Sequence, residues 1–336
     1  MISRKFIIWA CGLLFVFSSC AEDMVKPIEN DKDAPGTVQD VKTESLPGAV
    51  KFTYTLPSDP DLLYVLAKYT NKTGKVMEFR SSFYTNSVTV EGFGDTDTYK
   101  VELYTVDRSE NRSQPQIVEV APLTPPILSC YESLSVVSDF GGMTFEMDNK
   151  FKSDLAIYVC TPDELGDMVL AETFYSAREE IVYSVRGYDA VPRRFGIFLQ
   201  DKYGNETDTL FTELTPIYER ELDKTKFREM YLQNDSRVDS YDGKMEYVWN
   251  GRISKDGDSG GVGLHTGTGT KDGPAVFTFD LGVLAKLSRF ALWAIQDDKH
   301  FYNDMSPRRY EVWGCATEPN PDGSWDQWVK LLDMEN

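Results

Sequence analysis

Two stretches of this chain repeat one another about 94 residues apart, and that repeat limits the fold more than any other feature. VELYTVDRSENRS (Val101 to Ser113) aligns with FGIFLQDKYGNET (Phe195 to Thr207), so that Asp107 and Asn111 fall on Asp201 and Asn205. Upstream, VEGF (Val90 to Phe93) matches VRGY (Val185 to Tyr188). Downstream, PLTP ending at Pro125 matches ELTP ending at Pro216. Within each copy, apolar and polar residues alternate. In AVKFTYTLP, Val50, Phe52 and Tyr54 face one way and Lys51, Thr53 and Thr55 the other, the period of a half-buried strand. Val101 and Leu103 continue the pattern. Short alternating runs broken by Pro, Gly and Asn, with almost no helical periodicity, predict an all-β chain. The repeat unit is the size of one seven-stranded β-sandwich.

The motif Tyr99-x-Val101-x-Leu103 followed by VDRSENRS resembles the fibronectin type III pattern, a strand running into an Asp-x-x-x-Asn-x-Ser turn. In such a turn the Asp and Asn side chains hydrogen-bond the backbone. The resemblance spans about 90 residues in each copy. The early-strand tryptophan of that family is missing from both copies, which makes the second an immunoglobulin-like relative. Neither copy has a histidine for a Ser/His/Asp set or a glycine-rich strand-to-helix turn. Both copies are expected to be spacers, over residues 35–122 and 123–217.

At the N-terminus, Arg4 and Lys5 precede an apolar run from Phe6 to Phe17, the length of a signal-peptide core and short for a membrane span. The run ends in FSSC, which resembles a bacterial lipobox with Phe17 where leucine is usual. The resemblance implies a signal peptide over residues 1–19 and lipidation of Cys20. The acidic pair in AEDM, directly after Cys20, resembles the signal that exports lipoproteins of Bacteroidota to the outer cell surface. Residues 20–34 then read as a charged tether. The expected location is the outer membrane, at the cell surface, held by lipid alone.

A net charge of −19 with no basic face excludes nucleic acid as a partner. Cys130, Cys160 and Cys315 remain in the mature chain. Their odd number excludes a complete disulfide framework, and their spacing matches no zinc pattern. Buried free thiols are the expectation, with a Cys130–Cys160 bridge as the alternative.

Beyond Pro216 the composition changes, and both histidines and most tryptophans lie between Trp249 and Trp328. Phe279-Asp280-Leu281-Gly282, Tyr310-x-Val312 and Asp322-Gly323-x-Trp325 follow in that order. This resembles the discoidin domain (coagulation factor 5/8 type C) across about 110 residues, in the form found in Bacteroidota surface lipoproteins. The resemblance implies a jelly roll over residues 218–336 with closing strands beyond Asn336. The third domain is therefore expected to be C-terminally incomplete, or to close in another way. Many relatives hold a structural Ca²⁺ with an aspartate where this chain has Asn250. An amide oxygen at that position implies a weaker Ca²⁺ site, and no other cofactor is expected.

Sugar-binding members of that family use rim loops, where ring faces stack on pyranose C–H surface and planar polar groups fix hydroxyls. The candidates are Trp249 and Asn250 in WNG, and His265 and Thr266 in GGVGLHTGTG. The remaining loop supplies Gln296, Asp297, Asp298, His300, Tyr302 and Arg308. Trp293 lies in an alternating run and reads as core. The glycine loop is followed by an alternating strand rather than a helix, so it is no phosphate cradle.

The functional expectation is a surface lipoprotein that binds polysaccharide or oligosaccharide through the third domain, beside a glycan transporter and surface enzymes of a polysaccharide-utilisation system. Catalysis is not expected. Adjacent Asp297 and Asp298 are poorly placed to flank a glycosidic bond from both sides. The alternative is an adhesin or scaffold that binds protein or host surface with the same rim.

Overall fold

The computed structural model of the chain describes residues 31–238, 240–253, 263–266, 274–294 and 307–335. Two compact units result, Met1–Ile217 and Tyr218–Asn336. The first is a pair of β-sandwiches in tandem. In the leading sandwich, β1 (Gln39–Leu46), β2 (Ala49–Thr55) and β5 (Ser87–Glu91) form a sheet ordered β1-β2-β5. Facing it is a sheet ordered β4-β3-β6-β7, from β3 (Leu62–Thr70), β4 (Val76–Ser82), β6 (Tyr99–Asp107) and β7 (Gln116–Val120).

The second sandwich repeats this plan strand for strand. Its sheets are β12-β9-β8 and β11-β10-β13-β14. The strands are β8 (Ser135–Asp139), β9 (Gly142–Asp148), β10 (Leu155–Pro162), β11 (Met168–Ser176), β12 (Glu180–Arg186), β13 (Arg193–Asp201) and β14 (Leu210–Leu214). The alternation seen in the sequence sorts the side chains as expected. Val50, Phe52, Tyr54, Val101 and Leu103 are buried in the first core, and Phe145, Ile157 and Ile197 in the second. A short helix, α1 (Pro126–Glu132), joins the two sandwiches. It begins on Pro126, where a missing N–H removes no intrahelical bond. Ile127 and Cys130 tuck from it into the second core.

The repeated turns show why Asp and Asn recur. Asp201 Oδ1 accepts the backbone N–H groups of Tyr203 and Asn205, both at 2.9 Å, while Asn205 Nδ2 donates to Asp201 Oδ2 at 2.8 Å. Asp107 does the same for Ser109 and Asn111 at 2.8 and 2.9 Å. Each turn also grips what comes before its own sandwich. Asn205 Nδ2 donates to the Gly92 carbonyl at 3.1 Å, and the Tyr203 hydroxyl donates to Glu91, so the second sandwich is fastened to the first. In the first sandwich, Asn111 Nδ2 donates to Asp31 Oδ1 at 3.0 Å and Asp31 N–H donates to Ser109 Oγ at 3.0 Å. Gly36 adds a second pair of bonds, to Asp59 Oδ2 at 2.8 Å and from Thr105 Oγ1 at 2.6 Å.

The three cysteines are free, so the alternative Cys130–Cys160 bridge is not formed. Cys130 is buried, whereas Cys160 and Cys315 are half-buried rather than enclosed. Burial, and after it the charge of Asp148, pushes the Cys130 thiol up to about 11, which leaves almost no thiolate at neutral pH.

One carboxylate ties the second sandwich to pH. Burial pushes the Asp139 carboxyl up, but hydrogen bonds from Thr144 and the Phe140 N–H, with the Arg186 guanidinium at 2.9 Å, hold it below the usual range. A depressed folded value stabilises the protein above the unfolded carboxylate range and ceases to do so as pH falls through it. The midpoint of thermal unfolding should therefore fall as pH drops from about 5 to about 2. Asp139→Asn should flatten that part of the profile, and an unchanged profile would remove Asp139 from the account.

Candidate functional site: an aromatic surface on the second unit

Unit 2 contains two short antiparallel sheets among the described residues. β15 (Arg228–Met230) pairs with β16 (Thr278–Asp280), and β17 (Arg309–Gly314) pairs with β18 (Val329–Glu335). Cross-strand ion pairs line the second hairpin, Arg309 with Asp333 at 3.0 Å and Lys330 with Glu311 at 2.7 Å. Exposed pairs of this kind contribute little to stability.

The sequence motifs fold as tight turns. Gly282 N–H donates to Asp280 Oδ1 at 2.8 Å, and Ser324 N–H to Asp322 Oδ1 at 2.9 Å. Asn234 Nδ2 steadies the second turn by donating to the Asp322 carbonyl at 3.2 Å. This turn presents Trp325, whose ring meets Trp313 edge-on at 4.9 Å and lies 6.2 Å from Trp328. Trp325 remains 46% exposed. Trp313 is held in turn, since its Nε1–H donates to Glu311 Oε2 at 2.9 Å and Lys330 Nζ lies 5.2 Å from its ring. The result is a fixed indole cluster with one open ring.

A second exposed ring stands on the turn Ser240–Asp242. Tyr241 (φ 52°) and Asp242 (φ 59°) are consecutive non-glycine residues in the left-handed region, a conformation that costs about 1–3 kcal/mol for each residue. Tyr241 is 67% exposed, and its ring lies 5.7 Å from that of His265 at an interplanar angle of 57°.

The described residues among those singled out from sequence have different partners. Trp249 turns inward, half-buried against Phe227 at 5.8 Å and Phe279 at 5.3 Å. Asn250 Oδ1 accepts the Arg252 N–H at 2.8 Å, closing a turn with the oxygen that the Ca²⁺ reading required. His265 and Thr266 are half-buried, and His265 joins Tyr241. Arg308 is exposed and pairs with Glu335 at 3.3 Å. Cys20, Gln296, Asp297, Asp298, His300 and Tyr302 lie outside the described residues. Trp293 corrects the expectation of a core residue. It is 61% exposed, because its stretch pairs with no strand among the described residues and alternation alone buries nothing. Sequence reading passed over Tyr241 altogether. The signal it left was Asp242-Gly243, a turn dipeptide with an aromatic residue before it.

One cluster could hold a cation. Carboxylate oxygens of Asp31, Asp61 and Asp107 lie within 4.8 Å of one another in unit 1. The Asp107 oxygens there are already taken by the turn. Among the described residues, no helix is long and apolar enough to cross a membrane.

The architecture defines an all-β protein of tandem sandwiches followed by a third β unit. Family models match it in three successive stretches: a domain of unknown function (DUF4959) over residues 35–122, a second (DUF5126) over 123–225 and a third (DUF5000) over 249–336. Among solved structures, a SusE-like protein is 98% identical in a match covering 35% of this chain and 66% of that one, with a TM-score of 0.34. A two-domain fibronectin type III segment of chicken tenascin is 12% identical, covering 54% of this chain and 99% of that one, with a TM-score of 0.26. The corresponding domain of the human collagen α-1(XX) chain is 14% identical, covering 29% and 93%, with a TM-score of 0.25. No curated protein matches.

Proposed function

We propose that the protein is a cell-surface lipoprotein, anchored through Cys20, that binds polysaccharide through residues 218–336 and catalyses no reaction. The observation that carries this reading is the 46% exposure of the Trp325 ring beside Trp313 and Trp328. An exposed ring packed against two other indoles suits the apolar face of a pyranose, since little freedom is lost when the sugar stacks. The sandwiches over residues 35–122 and 123–217 act as spacers that hold the third unit away from the membrane. The 98% identity shared with a SusE-like protein supports a place in a polysaccharide-utilisation system, beside a glycan transporter and surface enzymes. The resemblance of the sequence motifs Phe279-Asp280-Leu281-Gly282, Tyr310-x-Val312 and Asp322-Gly323-x-Trp325 to discoidin domains supports the sugar-binding reading of the third unit.

Affinity electrophoresis of the full chain in gels containing mannan, starch, galactan or polygalacturonate tests this. At least one polysaccharide should retard it, and Trp325→Ala should weaken retardation about tenfold while circular dichroism stays unchanged. If no polysaccharide retards the chain, the reading falls.

A scaffold that binds another protein is the second reading. It is favoured by β11, an edge strand on which Met168, Val169 and Leu170 are consecutive and exposed.

A further inference from the structure

We infer that Tyr241 and His265 form a second sugar-binding subsite, distinct from the Trp325 cluster and selective for neutral glycans. The inference rests on the glycan-binding reading above and adds to it the residues and the class of sugar.

Three observations carry it. First, the turn bearing Tyr241 is fixed at both ends. Val238 and Met245, which flank it, are the two buried apolar side chains of unit 2 among the described residues. Second, the turn approaches the backbone of His265 closely. A Cβ on Gly243 would lie 2.9 Å from the carbonyl oxygens of Ser240 and Val238 and 3.0 Å from His265 N, so only glycine allows this approach. The ring and the imidazole lie tilted at 57° with centroids 5.7 Å apart. Third, Tyr241 is both strained and exposed. Glycine at position 241 would relieve the left-handed backbone, yet the chain places there a large ring that is mostly in solvent. Folding gains little from that ring, which leaves contact with a ligand as its use.

The Tyr241 ring is 67% exposed and so presents surface to a ligand. A pyranose can lay its C–H face on Tyr241 while a hydroxyl meets the imidazole edge, which can donate or accept. Charge sets the class of sugar. Asp242, next to Tyr241 in the turn, is exposed, whereas Glu246 is paired with Lys244 at 3.6 Å, and Lys244 lies 5.8 Å from the Tyr247 ring. Carboxylates accept sugar hydroxyls well and repel uronates or sulfates.

The test compares the full chain with Tyr241→Gly, Tyr241→Phe and Trp325→Ala. Binding is read by affinity electrophoresis against mannan, starch and galactan as neutral probes and polygalacturonate as the anionic one. Tyr241→Gly should melt at or above the temperature of the parent, because it relieves the left-handed strain, and should lose about tenfold in affinity for the neutral polysaccharide. Tyr241→Phe should keep most of that affinity. A purely structural role predicts the opposite, binding that follows stability. If a neutral polysaccharide retards the parent and Tyr241→Gly equally, the subsite is refuted while glycan binding stands. If polygalacturonate alone binds, the neutral class is wrong. If no polysaccharide binds, both readings are lost.

Discussion

Phe145→Ala should lower the stability of unit 1 by about 3–5 kcal/mol, the cost of deleting a buried aromatic ring and leaving a cavity. Phe145 is fully buried on β9, with Phe174 edge-on at 5.5 Å and Tyr183 at 6.0 Å. Both neighbours are half-buried on strands already committed by register, Phe174 opposite Ile157 and Tyr183 opposite Phe145 itself. Neither can move in to fill the space without breaking its ladder. Calorimetry of the full chain should show the unit 1 transition falling by roughly 10 °C, given about 2–4 °C for each kcal/mol in a unit of this size. Phe52 is the matching residue of the first sandwich and should give a similar loss. A drop below about 3 °C for Phe145→Ala would mean that the second core repacks freely, contrary to its close-packed aromatic triad.

Gly92→Val should separate the two sandwiches without unfolding either. Gly92 has φ +85°, and a Cβ there would lie 2.8 Å from Cγ of Tyr203. A β-branched residue is strained in that region by about 1–3 kcal/mol before any clash. The added methyls would displace the Tyr203 ring and with it the Asn205 bond to the Gly92 carbonyl. Each sandwich keeps its own core, so each can persist alone. The parent should melt through one transition for unit 1 and the variant through two, with faster proteolysis near Pro125. One unshifted transition in Gly92→Val would show that this contact does not couple the sandwiches.

The tandem sandwiches were legible in the sequence because a half-buried strand writes its burial every second residue. Val50, Phe52 and Tyr54 are all buried, and Asp107 and Asp201 perform the same turn chemistry that their alignment implied. The repeat even extends to backbone conformation. Gly92 and Gly187, and likewise Glu110 and Gly204, are left-handed at matching places. The bonds between the sandwiches left no such trace, since Tyr203 and Asn205 read as an ordinary turn until Gly92 lies against them. In unit 2 the sequence motifs gave turns rather than a site. Trp249 faces Phe227 and Phe279, because a tryptophan beside a turn signals nothing about which side it takes. Trp293 is exposed for the reason that alternation needs a paired strand to have an inside. Asp242-Gly243 marks the turn that bears Tyr241, but the left-handed backbone at the non-glycine residue itself carries no sequence signature.

The grip of the Asp107 turn on Asp31 has a mechanical side. Tension drawn through the N-terminal segment would reach the bonds at Ser109, Asn111, Asp59 and Thr105 before it reached β1. β1 is an edge strand and could be peeled from β2 one bond at a time. Strain entering at Asp31 is instead divided among contacts on the β6–β7 turn, on β6 itself and on the residues before β3. A pull from that end should therefore stretch the sandwich as a block and delay the unzipping of its outermost strand.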